Sequence, residues 1–403
     1  MMHKVKIPKA LLDEALADLH RPHDFAAERV GFFSTKCSRA GETTLVLCVA
    51  YHSVPDEHYL QDHSVGVRIG AAAITDAMAR AAVNKVGQLH VHSHGGLGVP
   101  SPSGVDSAEL PPLGHSLHNV DRAQASGWAV FSGDGGWSSI ALPGDSEIGI
   151  ESAISVVGYP MTIVQHVADR GRTRWSWRRL FSKRQPRANR FDRQNFLGPE
   201  SDVIFASLKV GIVGLGGGGS HVAQQLAHLG IKRFVLCDHD RISETNLNRT
   251  VSATERDVKL KKKKTAIAER TIRSLHDDAD VVKVERWETG AENLVQCDII
   301  VGCVDTFGGR RDLEAFCRRH LIPYVDVGMD VQQLADQQYE IIGQVILSMP
   351  GKACMHCMNF LTDEVLAEEA RRYGAAGGRP QVVWSNGVLC SAADGIIGDL
   401  VTG

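Results

Sequence analysis

The fold turns on Leu208–Asp240, LKVGIVGLGGGGSHVAQQLAHLGIKRFVLCDHD. A β-branched apolar run gives way to glycines, then to apolar residues at helical spacing, then to a second apolar run ending at Asp238. That order reads as strand, turn, helix, strand, and such a unit implies a parallel sheet with right-handed crossovers. Gly214, Gly216 and Gly219 stand in G-x-G-x-x-G spacing at the turn. Glycines there let backbone approach a phosphate while the helix aims its free N–H groups at the anion. Asp238 can accept from ribose hydroxyls, so this stretch alone suits a nicotinamide dinucleotide as well as ATP.

Residues downstream of Asp238 separate the two. TNLNRT places Asn246 and Arg249 after the acid, a lysine run occupies 261–264, and GCVDTFGGRR sets Asp305 at a strand end with Arg310 behind it. A dinucleotide's pyrophosphate can rest largely on helix N–H groups, whereas a triphosphate attacked at its α-phosphorus needs further cations and usually Mg2+. From RFDRQNFLG at Arg190 to Gly403 the chain resembles the ThiF/MoeB adenylating family, which includes the ubiquitin-activating enzymes. The resemblance implies a Rossmann-like domain that uses ATP and Mg2+. It implies phosphate cradled by Gly214, Gly216 and Gly219, ribose on Asp238, phosphate contacts from Asn246 and Arg249, and Mg2+ on Asp305. It also implies a homodimer in which Arg193 reaches the partner's ATP site. Which lysine acts stays open: counting from Asp257 favours Lys262, and the apolar register of Ile267, Ile272 and Leu275 favours Lys264. Cys354 and Cys357, in CMHC, have the spacing of half a zinc knuckle. Cys390 offers a thioester nucleophile in principle, but its apolar helical surroundings read as core.

Working outward, 403 residues exceed one ordinary hydrophobic core, so a second domain is expected upstream. Residues 10–20 carry a helical period, TTLVLCVAY reads as a strand, 66–84 as an Ala-rich helix, QLHVHSH as a strand and GWAVFSGDGGWSSIAL as a hairpin. An α/β domain is thus expected over 1–168, a basic, Trp-containing linker over 169–189, and the nucleotide domain over 190–403.

Within the first domain, LHVHSHGGLGVPSPSGVD, Leu89–Asp106, carries histidines on alternate positions, so His92 and His94 share one strand face. A Gly/Pro loop then brings back Ser103 and Asp106. Two imidazoles and a carboxylate suit Zn2+ and leave a fourth position for water, as a hydrolase requires. These residues resemble the JAMM (MPN+) metalloprotease family over about the first 165 positions. The resemblance implies zinc on His92, His94 and Asp106, an oxyanion donor in Ser103, and an upstream glutamate as general base. Glu28 in AERVGFFST is the first choice and Glu57 the reserve; His90 with His92 is the alternative imidazole pair.

A peptidase that trims a tail and a domain that adenylates the freed carboxylate share a substrate. The expectation is a bifunctional enzyme that processes and activates a ubiquitin-like or sulfur-carrier protein. The alternatives are a non-catalytic modifier-binding scaffold and a nicotinamide-dependent oxidoreductase. A net charge of -3 and apolar runs too short to span a bilayer call for neither a nucleic-acid nor a membrane partner. Nine cysteines, mostly isolated in strand-like runs, read as reduced thiols of a cytoplasmic protein.

Overall fold

A computed structural model of the chain describes all residues except 1, 23–26, 41–42, 63–64, 97–99, 101, 133–134, 146–149, 152–153, 164–166, 170–171, 177–189, 199–200, 335–337 and 372–380. It divides into two compact units, Met1–Lys183 and Arg184–Gly403. No helix among the described residues is long and apolar enough to cross a membrane.

The first unit runs β1 (Met2–Pro8), α1 (Lys9–Leu19), β2 (Val30–Ala40), β3 (Thr43–Ser53), α2 (Ala71–Asn84), β4 (Gly87–Ser93), α3 (Gly104–Val120), β5 (Ser126–Phe131) and β6 (Gly135–Ala141). Short strands come next: β7 (Ile150–Glu151), β8 (Ile154–Val157), β9 (Thr162–Ile163), β10 (Val167–Asp169) and β11 (Arg172–Ser176). The sheet order is β10-β11-β6-β5-β4-β2-β3-β1-β8-β9, with β7 on β6. Alternation decides which face is buried. Phe33, Leu89, Val91 and Phe131 join α1 residues in one core, while Val30 and Phe32 turn to the opposite face and pack with α2 and α3. The domain expected over 1–168 reaches further, since β10 and β11 lie beyond or across that limit and β11 pairs with β6. The rest of the expected linker, 177–189, lies outside the described residues.

The second unit runs α4 (Ser201–Ser207), β12 (Lys209–Val213), α5 (Gly217–Leu229), β13 (Arg233–Cys237), α6 (Glu255–Lys259), α7 (Lys264–Leu275), β14 (Asp280–Val284), α8 (Ala291–Leu294), β15 (Ile299–Gly302) and α9 (Phe307–Arg319). It closes with β16 (Tyr324–Gln333), β17 (Tyr339–Ser348), α10 (Asp363–Arg371) and α11 (Val383–Thr402). The order β14-β13-β12-β15-β16-β17 is parallel except for β17. Successive strands step outward from β12 to β14, then the chain returns to the other side of β12 as β15. That reversal opens a crevice at the carboxyl ends of β12 and β15, where α/β sheets bind ligands.

Candidate functional site

In the first unit, register builds the cluster. Val30 on β2 pairs antiparallel with His92 on β4, so two residues further Glu28 comes opposite His94, with its side chain on the histidines' face. Glu28, His92 and His94 bring ligand atoms within 4.8 Å of one another. The Glu28 segment is anchored by its neighbours. Ala27 N and Glu28 N donate to Gly66 O at 3.0 and 3.2 Å, and the buried Arg29 bonds Asp56 Oδ1 at 2.7 Å and Arg21 O at 2.8 Å.

The fourth member arrives on a helix. Ser103 caps α3, its Oγ accepting from Asp106 N at 3.1 Å while Ser103 N donates to Asp106 Oδ2 at 2.7 Å. This capping box turns the carboxylate back over the strand, with His92 Nε2 3.3 Å from Oδ1 and His94 Nε2 3.3 Å from Oδ2. The two Nε2 atoms lie 3.2 Å apart. Burial works to raise the Asp106 carboxyl, but its bonds to both imidazoles and to Ser103 N hold it well below the usual carboxylate range. Each imidazole thus meets a different oxygen of Asp106, and two imidazoles with the Glu28 and Asp106 carboxylates are donor types that a divalent cation such as Zn2+ accepts. Glu57 is exposed on a short turn and is not in this cluster; His90 lies behind His92, against Phe32.

In the second unit the crevice is a cleft of about 350 Å³. Gly214 at its floor has φ +89°, and a Cβ there would lie 2.4 Å from Cys303 O. Gly216, Gly217 and Gly218 form the wall where α5 begins. Asp238 Oδ2 accepts from Leu215 N at 2.7 Å, fixing the glycine turn, and Oδ1 accepts from Asp240 N at 2.7 Å. Opposite stand Arg249, Lys264, Asp305 and Arg310. Lys264, only 8% exposed, bonds Asp240 Oδ2 at 2.8 Å. Burial opposes ionisation of Asp240, yet the Lys264 bond leaves its carboxyl below the usual range. Arg310 is buried against Asp326, which also accepts from Tyr324 OH at 2.8 Å. Backbone donors and three cationic side chains thus line one cavity, as a polyphosphate requires, and Asp305 lines it as well.

Several expected residues lie elsewhere. Of the two lysines, Lys264 is in the cleft, whereas Lys262 sits 3.7 Å from Asp257 and does not line it. Gly219 does not line the cleft; a Cβ on it would lie 1.8 Å from Gly214 O, so its lack of a side chain lets α5 close on the glycine turn. Asn246 does not line the cleft, its Oδ1 accepting from Ser243 N and Oγ at 3.0 and 2.9 Å. Arg193 is exposed on the turn Asp192–Leu197, away from this chain's cleft wall. Cys354 and Cys357 hold their sulfurs 3.4 Å apart, and the Cys357 N–H lowers the Cys354 thiol's pKa. No third ligand joins them among the described residues. Cys390 is buried in α11 and donates to Gly218 O at 3.1 Å, and burial pushes its thiol up to about 12, in keeping with the core reading. Sequence reading missed Asp240, Trp287, Gln381 and Asn386, which also line the cleft. Gln381 and Asn386 come from the α11 region, far along the chain from every motif, and only tertiary packing brings them in.

Residues 192–382 match the ThiF family. The C-terminal half is thus similar to ThiF-family proteins over these residues. The chain is 32% identical over 149 residues to the tRNA threonylcarbamoyladenosine dehydratase of Escherichia coli, covering 36% of this chain and 54% of that protein. It is 30% identical over 165 residues to the SAMP-activating enzyme E1 of Haloferax volcanii, covering 40% and 57%. To the sulfur carrier protein ThiS adenylyltransferase of Bacillus subtilis it is 29% identical over 177 residues, covering 42% and 50%. The chain spans about half the length of these relatives.

Proposed function

We propose that this chain cuts, and then activates, the carboxyl terminus of a ubiquitin-like or sulfur-carrier protein. The observation that carries the reading is the cluster of His92 Nε2 and His94 Nε2, 3.2 Å apart and each 3.3 Å from a different oxygen of Asp106, with Glu28 beside them, in the same chain as a ThiF-type cleft. Zinc, when bound by His92, His94 and Asp106 in the manner of a JAMM peptidase, supplies a Lewis acid that acidifies water and polarises a carbonyl. Glu28 takes a proton from water as its oxygen bonds to the amide carbon, then hands that proton to the amine as the C–N bond breaks. Ser103 accepts from the helix through its lone pair, which leaves its O–H as a donor to the developing oxyanion.

In the second unit the freed carboxylate attacks the α-phosphorus of ATP, forming one P–O bond, breaking another and releasing pyrophosphate. Lys264, Arg249 and the N–H groups of the glycine turn hold the phosphates in line, while Arg310 adds positive potential from the wall. Mg2+, when bound near Asp305, neutralises phosphate charge. The enzyme works as a homodimer, with Arg193 serving the partner's cleft, and in the cytoplasm.

Mass spectrometry of a β-grasp carrier with an extended tail, incubated with this protein, Zn2+ and MgATP, tests both steps. Loss of the tail followed by gain of an adenylate is expected. An intact tail with zinc bound removes the first step, and carrier-independent pyrophosphate exchange removes the second.

A further inference from the structure

The start of α9 forms one wall of the nucleotide cleft: Asp305, Thr306, Gly309 and Arg310 all line it. Phe307 and Gly308, between them, do not, and their backbone N–H groups donate instead to the carboxylate of Glu369 on α10, each at 2.9 Å. We infer that Glu369 is a positioning residue of the nucleotide site, holding this turn from outside the cleft so that Asp305 meets the Mg2+ of bound ATP. The inference rests on the adenylation reading above and adds to it a residue that does not itself line the cleft.

A count of donors supplies the first reason. A helix leaves its first N–H groups without intrahelical partners. In α9 Glu369 takes those of Phe307 and Gly308, Thr306 Oγ1 takes that of Gly309 at 3.1 Å, and Arg310 N reaches Thr306 O at 3.1 Å. These groups are spoken for before any phosphate arrives. Charge supplies the second. A carboxylate at a helix N-terminus offsets the positive end of the helix dipole. The start of α9 therefore does not compete with the glycine turn before α5 for phosphate, and Asp305 keeps its carboxylate for a cation. Attachment supplies the third, because residues 348–369 run back along α9 from its last turn to its first. Arg318 donates to Ser348 Oγ, Met349 O and Lys352 O at 3.1, 3.2 and 2.8 Å, and the buried Glu314 accepts from Met355 N at 2.8 Å. The rings of Phe307 and Phe360 then meet with centroids 5.9 Å apart. Glu369 is the last tie of this strap, made to the backbone just after Thr306. Without it, two bare N–H groups beside Asp305 would draw in its carboxylate or a phosphate.

Calorimetry of ATP binding to the full chain, with and without Mg2+, tests this apart from turnover. In Glu369→Ala the gain in affinity that Mg2+ brings should fall about tenfold, the scale of losing a group that orients a metal's ligand. Metal-free ATP should bind that variant at least as tightly as the parent. Glu369→Gln keeps one acceptor oxygen for the two donors and should fall between, and it carries the test should the alanine variant not fold. In pyrophosphate exchange with a β-grasp carrier, Glu369→Ala should lower kcat roughly 10- to 100-fold and raise the Mg2+ needed for half-maximal rate, with KM for the carrier unchanged. A Mg2+ gain that stays within about twofold of the parent's overturns the inference. So does equal weakening of ATP binding with and without Mg2+, which a merely structural role would produce. A parent that binds MgATP but exchanges no pyrophosphate with any carrier overturns the adenylation reading alone, since the calorimetric comparison still decides the part of Glu369. A parent that binds no ATP overturns both.

Discussion

Gly66 shows how narrowly the first site is set. A Cβ on it would lie 2.8 Å from Glu28 Oε2, and its carbonyl holds the backbone that carries Glu28. Gly66→Ala should therefore displace the proposed base without touching the imidazoles. Cleavage of a peptide should fall about 10- to 100-fold while zinc content, measured by atomic absorption, stays at one equivalent. Nothing in the sequence marks this glycine, which sits in no motif and acts only through a loop packed on another. Asp394 in α11 makes a second prediction. It is 4% exposed, and neither carboxylate oxygen has a hydrogen-bond partner among the described residues. Burial pushes its pKa up to about 8. The unfolded chain then releases this proton near the ordinary carboxylate range while the folded chain keeps it. Stability is whole below that range and declines as pH rises toward 8, by at most about 1.4 kcal/mol per unit. Asp394→Asn should unfold at higher urea than the parent at pH 7, and the two should converge at pH 4.

Helix α3 is where local sequence signals and structure part. Pro111 and Pro112 lie inside it, and tandem prolines ordinarily argue for a break, since each removes a backbone donor and crowds the preceding turn. By that rule Ser103–Asp106 closes a loop; in the fold it opens a helix, and the same four residues form a capping box. The Ser-x-x-Asp spacing was thus legible as chemistry but not as the cap that aims it. Ser103→Ala should cost about 1 kcal/mol of stability by urea unfolding, the usual worth of an N-cap. If that cap is what points Asp106 at the imidazoles, zinc affinity should also weaken roughly tenfold; unchanged affinity would show that Asp106 holds its place unaided. Helix α7 behaves oppositely. Its apolar register, with Ile267 and Ile272 buried, is readable from sequence, and that phase alone separates Lys264 in the cleft from Lys262 outside it.

At the scale of the whole chain, the βαβ signature and its glycine turn made the second unit readable because its chemistry runs in sequence order along one crevice. The first unit's site draws instead on β2, β4 and α3, and its strand register, more than its motif, puts Glu28 opposite His94. The boundary was harder to read, because a basic composition does not prevent Arg172–Ser176 from pairing with β6. Each unit has its own sheet and every side chain its proposed reaction needs, apart from Arg193 serving the partner subunit. The two activities should consequently be separable by single substitutions. His92→Ala should abolish tail removal, yet leave carrier-dependent pyrophosphate exchange within about twofold when the carrier is supplied already trimmed. Lys264→Ala should do the reverse, reducing exchange by roughly 100-fold or more, the scale of losing one electrostatic contact to a developing charge. Were His92→Ala to depress exchange on a trimmed carrier, the cluster on β4 would be serving the nucleotide reaction, and the view of two sites meeting only through a shared substrate would have to be given up.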